Sequence, residues 1–303
     1  MLGDLAPAAD GMLPFQLERS GIRGRFVRLG PTIDEILTNH EYPLAIGEQL
    51  GQMLLFAGGL AGGLKFDGTF SLQVKGDGIV RMMVADCSND GRMRGYASYN
   101  AARLGADDRG LAIFGKALLA LSVDQTRVGG EIQQGIVSLE GTTLVDSMLT
   151  YFRDSEQIRT GIKLALLRDP ASSAWRGGAI LLQALPRSSA QTSQPTDDLW
   201  NEAMMFLATV SDAELALPSL AANDVLFSLF HEHGVRVYPT VRLRAQCSCS
   251  EVRVMGMLRT FTPEALDEMR LEHGGIEVSC QFCNRQYALP AEALDELAAA
   301  ARH

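Results

Sequence analysis

The apolar and polar positions change their period along the chain, and the changes mark out its elements. From Ile22 to Leu29 the pattern suits a strand, with Phe26, Val27 and Leu29 set among arginines, and Gly30-Pro31 stops it. Thr32-Ile-Asp-Glu35 then has the form of a capping box, with Ile33, Ile36 and Leu37 as the buried face of a helix. Pro43 can open a longer helix, because Ile46, Leu50, Met53, Leu54, Ala57 and Leu60 recur at a 3.6-residue period. From Lys65 to about Asp86 the period becomes two. Phe70, Leu72 and Val74 alternate with polar residues, Gly76-Asp77-Gly78 turns the chain, and Ile79 to Ala85 returns, which is a hairpin. Further strands are predicted at Met93–Tyr99, Ala117–Val123 and Ile132–Leu139. A helix follows from about Thr143 to Glu156, then strands through Ile162–Leu166 and Ala179–Leu185. Residues 1–14 read as a flexible lead.

This mixture predicts an α+β fold, with an N-terminal domain of mixed, largely antiparallel sheet and helices. Gly58, Gly59, Gly62 and Gly63 lie on or just beyond the long helix. An anion-cradling loop would need a following Lys-Ser/Thr or a GxGxxG pattern, and neither is present. Close packing of the helix against a sheet is the better reading.

The polar stretch Ser188-Ser-Ala-Gln-Thr-Ser-Gln-Pro195 breaks the pattern and places a boundary, giving a core domain at 1–187. A helical linker is predicted at 188–240, with Leu199, Trp200, Ala203, Met204, Phe206 and Leu207 as one stripe and Val225 to Phe230 as another. So short a segment cannot build a core alone, so its stripes must lie on something else. His231 and His233 at its end suit surface or capping roles. Residues 241–303 form a third, small domain.

Composition narrows the class. The chain has 303 residues, 47% of them hydrophobic, and a formal net charge of -9. The acidic balance argues against a nucleic-acid partner, which would favour a basic face. The opening MLGDLAPAADGMLP lacks the basic and apolar regions of a secretory signal. The longest nearly apolar run, Met53 to Leu64, is shorter than the roughly 20 residues a membrane helix needs. A soluble, intracellular protein without a membrane partner is expected. In that setting five cysteines are free, metal-bound or redox-active rather than structural disulfides. Cys87, in Asp86-Cys87-Ser88-Asn89, has nothing basic beside it to favour thiolate and reads as a bystander.

The other four cysteines carry the chemistry. Cys247-Ser-Cys249 and Cys280-Gln-Phe-Cys283 are two tight pairs separated by thirty residues. A tight turn can aim both sulfurs of a pair at one ion, and two pairs supply the four soft ligands of a tetrahedral zinc site, with Zn–S near ~2.3 Å. All four positions would be filled, which argues against hydrolytic zinc chemistry. Between the pairs, Thr262-Pro263-Glu264 starts a helix that Gly274-Gly275 ends. After them, Tyr287-Ala-Leu289 suits a short strand and Pro290 a last helix. The region has few large apolar residues, so it would depend on its metal. Two uses of such a site stay open on the residues alone. One is a purely structural zinc knuckle, the commoner fate of four-cysteine sites. The other is a reversible switch, because oxidants attack thiolates and oxidation of either pair removes ligands.

The arrangement resembles the heat-shock protein 33 family of redox-regulated bacterial chaperones. The most specific likeness is the two cysteine pairs with their spacing and the following Asn284-Arg285-Gln286-Tyr287. Leu64-Lys65-Phe66-Asp67-Gly68, Gln73-Val-Lys-Gly76-Asp77-Gly78, Met93-Arg94-Gly95, Tyr151-Phe152 with Ser155-Glu156-Gln157, and Gly177-Gly178 with Leu182-Gln183 look like family segments. Asn223 to Glu232 is similar to the family's linker. The likeness spans about residues 20 to 290.

That resemblance implies a cytoplasmic bacterial holdase that works without ATP and has no catalytic residues. One Zn2+ per chain, on Cys247, Cys249, Cys280 and Cys283, would keep the reduced monomer idle. Oxidation would form the disulfides Cys247–Cys249 and Cys280–Cys283, release zinc, unfold the small domain and linker, and produce a dimer that binds unfolding client proteins. Two other classes compete. A constitutive zinc-containing interaction or RNA-binding module would need no switch, and the lack of a basic-aromatic stripe weighs against RNA. A thiol oxidoreductase using Cys280-Gln-Phe-Cys283 would need a thioredoxin-like setting, which does not precede the motif.

Overall fold

Two antiparallel strands at the start of the chain set the layers. Gly11–Leu17 (β1) pairs with Ile22–Leu29 (β2) through the register Phe15↔Gly24. On β2, Phe26 turns to one side and Val27 to the other, and both are fully buried. A strand buried on two faces must lie between two layers, and it does. The computed structural model describes residues 9–61, 68–126, 129–184, 197–272 and 274–300, with side chains to residue 295. Leu64 to Asp67 of the family-like segment, Gly62 and Gly63, and the polar stretch 188–195 lie outside these residues.

The remaining elements are α1 (Pro31–Thr38), α2 (Leu44–Ala61), β3 (Thr69–Gly76), β4 (Val80–Ser88), β5 (Arg92–Tyr99), β6 (Ala117–Asp124), β7 (Ile132–Ser138), α3 (Leu144–Asp154), β8 (Thr160–Arg168) and β9 (Trp175–Ala184). There follow α4 (Asp197–Thr209), α5 (Asp212–Ala216), α6 (Ala222–Phe230), β10 (Val235–Val237), β11 (Val241–Arg242) and β12 (Arg244–Ala245). One sheet runs β10-β1-β2-β9-β8, with β11 also on β1; the other runs β12-β5-β4-β3-β6-β7. Among their pairings only β12 with β5 is parallel, so the α+β, largely antiparallel architecture stands as expected.

Helix α2 lies between the two sheets. A Cβ on Gly58 would meet Leu243 at 3.0 Å and Met93 at 3.4 Å, and one on Gly59 would meet Leu181 at 3.0 Å. These two glycines serve close helix–sheet packing. The first apolar core gathers here, from Met12, Val27 and Leu181 on one sheet, Leu72 and Met93 on the other, and nearly every side of α2.

The opposite face of the first sheet carries Leu13, Phe15, Phe26, Ile180 and Leu182, and the helices α4 to α6 cover it with Trp200, Leu207, Leu215, Leu226 and Phe230. Phe15 stacks on Phe230 with centroids 6.1 Å apart. Helix α5 comes so close that a Cβ on Gly178 would lie 2.1 Å from the Leu215 carbonyl oxygen. Beside it, the buried Arg28 guanidinium donates to the carbonyls of Leu220 (2.5 Å), Glu214 (2.9 Å) and Leu215 (3.3 Å), and burial lowers its pKa to about 10. Phe227, of the second stripe, stays outside at 67% exposed, as does Met205 beside the first at 64%.

Several sequence expectations need correction. Residues 11–14 are not part of a flexible lead but belong to strand β1, which runs on to Leu17. Pro14 is tolerated there because it falls between the short β10 and β11 pairings, where its carbonyl accepts from the Tyr238 amide. Thr32 makes no capping box. Helix α1 begins at Pro31, and the Asp10 carboxylate accepts from the Gly30 and Thr32 amides, both at 2.6 Å. Capping boxes form instead at α3, between Thr143 and Asp146, and at α5, between Ser211 and Glu214. His231 does sit at a helix end, its Nδ1 3.0 Å from the Phe227 carbonyl oxygen, but His233 is buried against the Phe206 ring.

The chain divides into two compact units, Met1–Ala245 and Gln246–His303. The smaller contains α7 (Glu251–Leu258), α8 (Pro263–Glu268), a hairpin of β13 (Ile276–Ser279) and β14 (Gln286–Leu289), and α9 (Ala291–Ala300). Helix α7 had no counterpart in the sequence reading. Thr262 caps α8 as expected, but the helix stops at Glu268, well before Gly274. No helix among the described residues is long and apolar enough to cross a membrane.

Candidate metal centre

The smaller unit brings two loops together. Cys280-Gln-Phe-Cys283 is the turn of the β13–β14 hairpin, closed by the Cys280 amide on the Arg285 carbonyl (2.9 Å) and the Asn284 amide on the Cys280 carbonyl (2.8 Å). Asn284 takes φ 56, a left-handed conformation that asparagine tolerates better than most residues. Cys247 and Cys249 lie just ahead of α7, whose N-cap Ser250 accepts from the Arg253 amide. The Arg253 side chain folds back to donate to the Ser248 hydroxyl at 2.6 Å, bracing the loop between the two thiols.

All four sulfurs lie within 4.8 Å of one another, with Cys247 to Cys280 at 3.7 Å and Cys249 to Cys283 at 3.3 Å. A tetrahedral site with Zn–S near 2.3 Å places its sulfurs about 3.8 Å apart, so this cluster fits a four-thiolate ion. Each cysteine is partly buried, as a closed structural site requires. No described histidine or carboxylate joins the group, so the donor set is purely soft.

Two hydrogen-bond contacts meet at Cys249 Sγ, from Cys283 and from Tyr287. Tyr287 Oη donates to Cys249 Sγ at 3.1 Å. Burial pushes the Cys249 thiol up, but the donors Tyr287, Cys283 and Cys247 outweigh it and bring it down to about 7. Burial, together with the proton held toward Cys249, pushes Cys283 up to about 12, and burial likewise raises Cys247. Cys249 is therefore the sulfur that carries negative charge most readily, and a cation would hold the set as thiolates more completely than shared protons do. The sequence marks Tyr287 only as a strand residue and as part of a family-like segment. Its role follows from strand alternation, since β14 places it opposite Val278, on the side of the hairpin facing the thiols.

Cys87 stands apart from this group. It is 1% exposed on β4, and burial, with Asp90 and Asp86 nearby, pushes its thiol up to about 12. A buried protonated thiol is inert toward electrophiles.

A family model described as Hsp33 protein matches residues 10–290. The chain belongs to the Hsp33 family. It is 34% identical to the 33 kDa chaperonin of Caulobacter vibrioides strain NA1000 over 300 residues, covering 94% of this chain and 98% of the relative. It is 36% identical to the 33 kDa chaperonin of Pseudomonas fluorescens strain Pf-5 over 296 residues, covering 97% of this chain and 95% of that one. Its fold is similar to the crystal structure of the 33 kDa chaperonin of Thermotoga maritima, with a TM-score of 0.79 at 20% identity over 96% of this chain and 98% of that one. As a member of the Hsp33 family the protein is a chaperone. The four-cysteine cluster is in keeping with zinc and redox chemistry in this family.

Proposed function

We propose that this chaperone is a redox-switched holdase that works without ATP and is held idle by zinc on Cys247, Cys249, Cys280 and Cys283. The observation that carries the reading is the convergence of four sulfurs within 4.8 Å in a unit with a small apolar core. When bound there, zinc would supply a tetrahedral cross-link between the Cys247–Cys249 loop and the β13–β14 turn, and no reacting group. The chain would serve as a core at 1–187, a linker at 188–240 and a switch unit at 241–303.

The switching chemistry belongs to the thiolates. Two of them joining as a disulfide give two electrons to the oxidant, and each pair so joined removes two ligands from the set. A site with half its sulfurs no longer retains its ion, and the unit loses the cross-link that stabilises it. The pairs assigned by family likeness are Cys247–Cys249 and Cys280–Cys283. The apolar faces of α4 to α6 supply what such a switch could release, since most of their stripes are covered in the folded chain. Uncovered, they would bind unfolding proteins by apolar contact. The oxidised form would dimerise, and the working compartment would be the bacterial cytoplasm.

The test compares the reduced and mildly oxidised protein for bound zinc, free thiols and suppression of aggregation of a heat-unfolded client. Reduced protein should bind about one zinc and suppress little; oxidised protein should lose four thiols and the zinc and suppress strongly. Full suppression by the reduced form, or oxidation without zinc release, would overturn the switch. Catalytic reduction of disulfides by the chain would favour a thiol oxidoreductase instead.

A further inference from the structure

The larger unit holds a cavity of about 550 Å3 between the two sheets, beside the end of α2. That volume lies in the range of small-molecule sites, roughly 300–1,000 Å3. Its apolar wall is formed by Leu60, Phe70, Leu121, Val123 and Phe152. Across from them stands Arg25. It shares a face of β2 with Val27, two residues on, so its guanidinium is sent into the space between the sheets rather than toward α4 to α6.

Arg25 has little to satisfy its charge. Nη1 donates to Gln183 Oε1 at 2.8 Å, and Gln183 is oriented by its own amide nitrogen on Thr160 Oγ1 at 3.4 Å. Among the described residues Arg25 makes no ion pair. The one carboxylate on the cavity wall, Glu156, accepts from the Tyr151 hydroxyl. Tyr151 is in turn held flat against β7, where a Cβ on Gly135 would come within 2.8 Å of its ring. The wall is thus apolar on one side and carries a cation facing a hollow on the other.

We propose that this cavity binds a small amphiphilic carboxylate, with its apolar body against Phe70, Leu121, Val123 and Phe152 and its carboxylate on the Arg25 guanidinium. The nearby Glu156 favours a single negative charge over a dianion or phosphate, which would meet it with like charge. Charge complementarity selects the acid over an alcohol or amine of the same length. This site is independent of the thiol cluster and of the switch.

Octanoate is the probe, titrated calorimetrically into the reduced, zinc-loaded full chain, with octanol and octylamine as controls. Octanoate should bind saturably at one site, about tenfold or more tighter than octanol, as expected for a charge-assisted pair; octylamine should not bind. Arg25→Gln should bring octanoate down to the level of octanol and leave octanol unchanged. Val123→Phe, which fills the hollow while Arg25 remains, should abolish both. If octanoate does not saturate, or octanol matches it in the wild-type chain, the site is not what we propose. The same follows if folded Arg25→Gln keeps the preference for the acid. The wild-type ranking decides the matter even if Arg25→Gln proves unable to fold.

Discussion

The two units of this chain are held together by different physics. The larger buries two continuous apolar clusters, one on each face of the β1-β2-β9 sheet, and carries its helices on that burial. The smaller has one cluster of six buried side chains, Val254, Leu258, Leu266, Ile276, Leu289 and Leu294, and four sulfurs gathered within 4.8 Å of one another. A segment of this length buries too little to be comfortably stable, and small domains of this kind depend on a metal or a disulfide. The difference places the vulnerability of the molecule. The core methionines and Cys87 of the larger unit are buried away from oxidants, whereas the smaller unit carries four partly exposed thiols, the most readily oxidised groups in the chain.

The strongest way to test that contrast is to remove one sulfur. Cys280→Ser should abolish zinc binding and unfold the smaller unit, because structural zinc contributes an apparent 10–16 kcal/mol or so in comparable small units. Hydrogen exchange should then show residues 246–295 unprotected and β2 and β9 still protected. Equal loss in both regions would show that the units do not differ as described.

Next in size is the covering of the first sheet. Phe230→Ala removes a fully buried ring stacked on Phe15 and should cost about 3–5 kcal/mol in urea unfolding. Helices α4 to α6 should loosen, and the reduced, zinc-loaded protein should gain client binding in a light-scattering assay. A loss of stability without added exchange in 197–230 would mean the covering is not a separable layer.

Arg28→Leu is a smaller change at the same layer. It leaves the carbonyls of Glu214, Leu215 and Leu220 without their donor and should cost about 2 kcal/mol. Faster exchange confined to residues 212–220 would identify Arg28 as the clasp of α5.

The smallest effect expected is at Asp90, whose side chain is 46% exposed. Burial raises its pKa, but the Ser88 hydroxyl, Arg92 and Arg244 together outweigh it and hold the carboxyl at about 2. A carboxyl depressed in the fold stabilises above its unfolded pKa and loses that contribution as pH falls from about 4 toward 2. Asp90→Asn should therefore cost well under about 1 kcal/mol at neutral pH, and the difference from wild type should vanish near pH 2 in thermal unfolding.

Much of this was legible in the chain itself, and where it was not, the cause is identifiable. Strand β2, the β3–β4 hairpin and α2 announced themselves because their partners are close in sequence or their period is strong. Strand β1 did not, because Pro14 and two glycines nearby disguise a strand whose partners include residues 235–242. The start of α1 was misread because its cap, Asp10, lies twenty residues away on another segment. The burial of His233 contradicts the surface or capping role its sequence suggests, because nothing local reveals that Phe206 and its neighbours enclose it. Helix α7 was overlooked because its exposed Val252 and Met257 blur the apolar stripe of Val254 and Leu258.

The sequence by itself determined the chemistry at the four cysteines, since two tight pairs of soft ligands define a donor set whatever surrounds them. It also determined that the helices after residue 197 must lie on another surface, because they carry more apolar area than they can bury alone. Only the tertiary structure decided which surface that is. It also turned Tyr287 toward Cys249 and set Arg25 facing a hollow in which it makes no ion pair with a described residue. Those are relations between segments far apart in the chain, and burial and charge at such places depend on what arrives from elsewhere.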